Sequence, residues 1–164
     1  MSLEKTTLTG EVNPDSCVKI YKTRKVKTPG RGSPLSAGID FYVPEDFEPK
    51  SVEPQCDVLI PSGIKVKLPA GFALVANNKS GIATKKRLIF GAAVVDEDYQ
   101  GELHLHLINV GHEAILISPG DKIIQFLLEE QHYVDVLEVP SEEVLFGGEV
   151  TVRGTGGFGS TGTK

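Results

Sequence analysis

Glycine and proline punctuate this chain so densely, with 18 and 10 among 164 residues, that no long amphipathic helical pattern survives between them. The intervening segments are short and rich in β-branched residues. Ile64-Lys65-Val66-Lys67-Leu68 alternates strictly, as a half-buried strand does. Leu103, Leu105 and Leu107 alternate with His104, His106 and Ile108. Ile123 to Leu128 is nearly continuously apolar, which predicts a strand buried on both faces. Ala114 to Ile117 and Val134 to Val139 also read as strands. One or two helical turns are predicted at about Ser80 to Lys86, with Ser80 as the cap. Many short strands at turn-punctuated spacing predict an all-β barrel or sandwich.

The length suits about one domain with a real core. A net charge of -5 gives no general attraction for nucleic acid, so basic groups that meet phosphate here act locally. Cys17 and Cys56 match no metal-ligand spacing and build no disulfide framework, which favours a reducing compartment. Met1 to Asn13 is polar and does not read as a signal peptide. No apolar run reaches the roughly 20 residues of a membrane span. The expectation is a soluble, intracellular protein, or one made by a virus inside its host cell. Three regions are expected: a polar N-terminal extension over 1–16, a β domain over 17–152 and a Gly-rich arm over 153–164.

The arm runs Arg153-Gly154-Thr155-Gly156-Gly157-Phe158-Gly159-Ser160-Thr161-Gly162. Glycines let backbone N–H groups approach an anion, Ser and Thr add hydroxyl donors, and Arg153 adds a planar fork for phosphate oxygens. Phe158, flanked by glycines, has little of its own segment to pack on and suits stacking on a base. The plain alternative is a flexible tail. A second block, Gly91 to Glu102, reads strand, tight turn, strand, with Asp96, Glu97 and Asp98 beside Tyr99. A solvated hairpin tip would also carry acids. The small residues Gly91, Ala92 and Ala93 leave room for a flat ligand beside the backbone.

Lys79-Ser80-Gly81 follows a strand and makes a candidate phosphate site, or an ordinary helix cap with a solvated lysine. Gln125, within an apolar strand, needs partners from neighbouring backbone or a ligand. Asp40 precedes a strand and is either a turn residue or the holder of a metal-bound water. His104 and His106 share a strand face, but no carboxylate or Cys at useful spacing completes a metal site. Nothing resembles a Walker loop or a dinucleotide fingerprint.

In this order, five blocks resemble the trimeric dUTPase family: Ser36 to Asp40, Lys79 to Ala83, Val94 to Gly101, Gly120 to Gln125 and Arg153 to Gly162. The resemblance runs from about Val18 to Gly162. It implies a jelly-roll-like β-barrel, a homotrimer with active sites shared between chains, and an arm that orders over nucleotide. It implies hydrolysis of dUTP to dUMP and pyrophosphate with Mg2+. Asp96 matches the general base, and Tyr99 matches the ring that packs on deoxyribose and excludes a 2'-hydroxyl. Backbone around Gly91 and Ala92 matches the uracil reader. Lys79, Ser80, Gly81 and Gln125 match phosphate contacts, as do Arg153, Gly159, Ser160 and Thr161 on the arm. Phe158 matches the aromatic over uracil, and Asp40 a residue meeting the magnesium shell through water. The family usually has arginine where Lys79 stands; lysine keeps the charge and loses the bidentate fork.

The nearest competitor of the same fold is dCTP deaminase, whose catalytic glutamate lies near the place of His106. A regulatory role is a second alternative: some viral members grip other proteins, and residues 1–16 are available for it. An inactive structural β-trimer is the third.

Overall fold

The computed structural model describes residues 13–157. The chain divides into two compact units, residues 1–132 and 133–164.

In the first unit, a 3-10 turn at Pro14–Ser16 is capped by Asn13, whose side chain accepts the Asp15 N–H. The strands β1 (Lys19–Lys22), β2 (Gly30–Arg31), β3 (Ile39–Tyr42), β4 (Lys50–Val52), β5 (Asp57–Pro61), β6 (Ile64–Lys67) and β7 (Phe72–Asn77) follow. Then come helix α1 (Ser80–Lys86) and strands β8 (Leu88–Phe90), β9 (Val94–Val95), β10 (His104–Asn109), β11 (Ile115–Ile117) and β12 (Lys122–Glu130). All pairings among them are antiparallel. The largest ladder runs β2-β3-β12-β7-β9; a second runs β5-β10-β8; β1 pairs with β6 and β4 with β11.

The period-two pattern is what drives this arrangement. Val58 and Ile60 on β5, Ile64 and Val66 on β6, and Leu105 and Leu107 on β10 point inward and are buried, while their neighbours face out. With Phe41, Leu74, Leu88, Leu103, Ile117 and Phe126 they form one core shared by all four ladders. The Phe41 and Phe126 rings meet edge to face, centroids 4.8 Å apart. This is the all-β, jelly-roll-like barrel expected from the sequence.

Buried Asn109 ties the far end together. Its amide nitrogen donates to the Val52 and Glu113 carbonyls, at 2.8 Å each, and its oxygen accepts the Gly111 N–H at 2.8 Å. On β12, Ile123 and Ile124 are adjacent and both buried because the register against β3 shifts between Lys122 and Ile124.

Three details differ from expectation. Lys79, not Ser80, is the residue before α1, and no side chain caps the helix. Val134 to Val139 forms no strand: nothing in the second unit's described residues offers a ladder partner, and Val136 and Leu137 are 98% and 82% exposed. That unit instead contains a short helix, α2 (Glu142–Phe146), begun by Ser141, whose hydroxyl accepts the Val144 N–H, and ended by left-handed Gly147.

Candidate active site

Asp40 lies within β3 rather than ahead of it, directly opposite Gln125 of β12. It is 4% exposed. One carboxylate oxygen meets the Lys79 ammonium and the other meets the Lys122 ammonium at 2.9 Å. Burial pushes the Asp40 carboxyl up, but the hydrogen bonds and charges of the two lysines outweigh it and hold the group below its ordinary range. Asp40 in turn raises Lys122. Just upstream, the Arg31 guanidinium donates to the Ser36 and Ala37 carbonyls and fixes the chain that enters β3.

Gln125 lies against Gly38: a Cβ there would sit 2.8 Å from the glutamine Cδ, so any larger residue would have to displace the glutamine. Its amide nitrogen donates to the Asn78 carbonyl at 2.8 Å, and the Asn78 side chain accepts the Phe90 N–H at 3.0 Å. Asp40, Lys79 and Gln125 are thus brought together at one end of the largest ladder, with Ser80 and Gly81 next in the chain. The last two are exposed, and the space a Gly81 Cβ would take is open. This corner can hold an anionic chain: lysines and hydroxyl on one side, an amide on the other.

The second cluster is a splayed hairpin. β8 pairs with β10, whereas β9 pairs with β7. Residues 91–93 are the corner at which the chain leaves one sheet for the other, so β9 and β10 diverge instead of pairing. The Ala93 carbonyl accepts the Ala76 N–H at 2.7 Å on the β7 side. The Gly91 N–H donates to the His106 carbonyl at 3.0 Å, and the Ala92 N–H to His106 Nδ1 at 2.8 Å. His106 Nε2 lies 3.0 Å from Asp57 Oδ2. Because Nδ1 receives a backbone N–H, the ring proton sits on Nε2 and is donated to Asp57. The carbonyls of Gly91 and Ala92 accept no hydrogen bond from another described residue.

At the hairpin tip, Tyr99 folds over Gly101 and its hydroxyl donates to the Glu102 carbonyl at 3.0 Å. The Glu97 carboxylate accepts the Gly71 N–H at 2.8 Å, and Glu102 accepts the Gly63 N–H at 2.6 Å. These two acids therefore brace neighbouring turns. The Asp96 carboxylate is exposed and forms no hydrogen bond or ion pair among the described residues, while its backbone carbonyl accepts the Tyr99 N–H at 3.2 Å. No hydrogen bond joins Asp96 to the Asp40–Lys79–Gln125 cluster among the described residues. Arg153 belongs to the second unit, where its Nε donates to the Gly156 carbonyl at 2.9 Å. Phe158, Gly159, Ser160 and Thr161 lie outside the described residues.

The dUTPase family model matches residues 24–162 of this chain. The chain belongs to the dUTPase family. A deoxyuridine 5'-triphosphate nucleotidohydrolase of Corynebacterium jeikeium (strain K411) is 39% identical over 152 residues, 90% of this chain and 94% of the relative. The dUTPase of Staphylococcus bacteriophage 80alpha, solved with dUPNHPP, superposes with a TM-score of 0.75 at 22% identity, over 89% of this chain and 98% of that one. A mutant dUTPase from phage phi11 of S. aureus, which coordinates a structural Mg(II) ion, has a TM-score of 0.69 at 19% identity, over 77% of this chain and 99% of that one. At these identities the phage proteins establish the fold.

As a member of this family the dUTPase is a nucleotidohydrolase, as its sequence predicts. Its own side chains build no metal cage: no group of three or more His, Cys, Asp or Glu is placed to hold an ion among the described residues. Asp40, the acid expected near a metal shell, has both oxygens engaged by ammonium groups. His104 is likewise occupied, with Nδ1 3.1 Å from the Glu102 carbonyl. Among the described residues no helix is long and apolar enough to cross a membrane. Sequence reasoning passed over four contributors. Lys122 stood inside a quoted block and Arg31 acts on carbonyls five and six residues along the chain, whereas Asn78 and Asp57 act through long-range contacts that no local pattern announces.

Proposed function

We propose that this dUTPase cleaves dUTP to dUMP and pyrophosphate, with Asp96 as the general base, inside a site completed by other copies of the chain in a homotrimer. The observation that carries the reading is the hairpin itself. Its arms belong to different sheets, its corner presents the free carbonyls of Gly91 and Ala92, and its tip carries the uncommitted Asp96 beside Tyr99.

Uracil has a donor at N3 where cytosine has a lone pair. A backbone carbonyl facing N3 accepts from the first and repels the second, and a mismatched polar edge discriminates strongly. A close backbone wall also leaves no space for the thymine methyl. Tyr99, packed on the hairpin, would lie against the deoxyribose and exclude a 2'-hydroxyl. The triphosphate would run along Lys79, Ser80, Gly81 and Gln125, with Arg153, Gly159, Ser160 and Thr161 closing from the arm and Phe158 stacking on the base.

Asp96 orients a water and takes its proton as the oxygen attacks the α-phosphorus. The bond from that phosphorus to the bridging oxygen breaks, and pyrophosphate leaves with the electron pair. Among the described residues no group of acids, histidines or cysteines is placed to hold Mg2+ by itself, so the ion would be held mainly by the nucleotide's phosphates. Bound there, it would neutralise charge on the phosphates. The shared sites that the family resemblance implies need several copies of the chain, and a closed threefold ring would provide them. The reaction would keep uracil out of DNA and supply dUMP for dTMP synthesis.

Pyrophosphate release from dUTP, dTTP, dCTP and UTP tests this. Only dUTP is expected to turn over well, and Asp96→Asn is expected to bind dUTP with kcat lowered by about 10²–10⁴. Ammonia release from dCTP, or an Asn variant with full turnover, would overturn the proposal.

A further inference from the structure

We infer that His106 is the positioning residue that aims the uracil-reading carbonyl of Gly91, and that discrimination between uracil and cytosine depends on the acceptor its Nδ1 offers. The inference rests on the functional reading above and deepens it.

The peptide joining Gly91 to Ala92 is planar and trans, so its N–H and C=O point in opposite directions. His106 Nδ1 holds the Ala92 N–H at 2.8 Å. Fixing that N–H fixes the Gly91 carbonyl, which points away from the imidazole. The ring is itself held from behind by Asp57, 3.0 Å from Nε2, so its orientation and tautomer are set before any ligand arrives. The Gly91 N–H, bound to the His106 carbonyl at 3.0 Å, closes the other end of the same residue pair. The fit is tight: a Cβ at Gly91 would fall 2.9 Å from the His106 Cγ.

The surroundings leave His106 few electrostatic partners. On the β5 side the charged group is Asp57, with Leu59 opposite His106 in register and Pro61 opposite His104. On β10 itself, His104 lies two residues away on the same face. On the β8 side, Ile89 is paired with Ile108, and Gly91 follows at the corner. A side chain without an acceptor at the Nδ1 position has no lone pair for the Ala92 N–H. The peptide is then released, and with it the direction of the Gly91 carbonyl.

The test is steady-state kinetics with dUTP and dCTP for the wild type, His106→Leu and His106→Asn. Leucine removes the acceptor; the asparagine oxygen stands near the place of Nδ1. His106→Leu is expected to raise KM for dUTP about tenfold, with kcat changed by less than about threefold, and to narrow the preference over dCTP by a similar factor. His106→Asn is expected to recover most of that loss. A folded Leu variant with wild-type KM and selectivity overturns the inference. If the Leu variant does not fold, His106→Gln, whose amide lies beyond the Nδ1 position, takes its place, and wild-type KM and selectivity in that variant overturn the inference. A wild type that fails to hydrolyse dUTP refutes the functional reading and this inference together, whereas normal turnover with an indifferent His106 refutes this inference alone.

Discussion

Asp40 and Lys122 face each other from neighbouring strands, carboxylate to ammonium at 2.9 Å, while the other oxygen of Asp40 holds Lys79. The acid is thus the hub of a three-residue charge network, one partner of which is also the cation expected to meet phosphate.

Replacing Asp40 with Asn would leave two ammonium groups facing a neutral amide. The Asp40 and Lys79 side chains are 5% and 19% exposed, but Lys122 is 41% exposed and partly screened. A loss of about 1–3 kcal/mol is expected in urea unfolding at neutral pH. The folded-state pKa of Asp40 is lowered, so its contribution is fully present above the ordinary carboxylate value of about 3.9 and disappears as pH falls through the folded value. The gap between wild type and Asn variant should therefore close on acidification below about pH 4. A gap that persists unchanged would mean the lysines do not stabilise the carboxylate.

Gly38→Ala places a methyl group 2.8 Å from Gln125 Cδ and 3.1 Å from its Cβ. The glutamine must move, giving up its bond to the Asn78 carbonyl. KM for dUTP is expected to rise about fivefold, the worth of roughly one hydrogen bond, with little change in melting temperature. Unchanged kinetics would remove Gln125 from the phosphate path.

Asn109→Ala removes the partner of the buried Val52 carbonyl and Gly111 N–H and of the part-buried Glu113 carbonyl. The expected cost is about 2–4 kcal/mol by urea titration, without a specific effect on kcat. A loss below about 0.5 kcal/mol would show that water replaces the amide.

Deleting residues 154–164 should spare the barrel, because every residue of the core cluster and its partly buried border lies between Val18 and Leu128. The melting midpoint is expected to stay within a few degrees, while turnover falls on the order of a hundredfold through lost closure over the nucleotide. A truncated protein with normal turnover would dismiss the arm from catalysis.

Much of this architecture was legible in the sequence because it is local. The alternation of Ile64 to Lys67 and of Leu103 to Leu107 gave strand, face and burial at once, and Ser80 to Lys86 is the helix expected there. The hairpin was legible as two arms and a turn, but not as splayed, since the choice of β7 or β8 as partner is made by residues far along the chain. The same non-locality hid the ties of Asp40, whose lysines lie at positions 79 and 122, and the brace from Glu97 to Gly71. Val134 to Val139 misled for the opposite reason: its composition suits a strand, but a strand is a pair, and pairing is not written in one segment. Helix α2 did carry a local signal, Ser141 ahead of two glutamates, that its short apolar run concealed.

The register shift on β12 has a consequence for how this chain can change length. In an unbroken strand, positions 122 and 125 would project from opposite sides, because three is an odd number of steps. The extra residue between Lys122 and Ile124 alters that parity, so that the lysine and Gln125 both reach the neighbourhood of Asp40. Removing either Ile123 or Ile124 would do more than excise a methyl-rich side chain. It would turn a cation toward the oil or the amide away from its acid, and a one-residue deletion at this spot should therefore be harsher than any point substitution beside it.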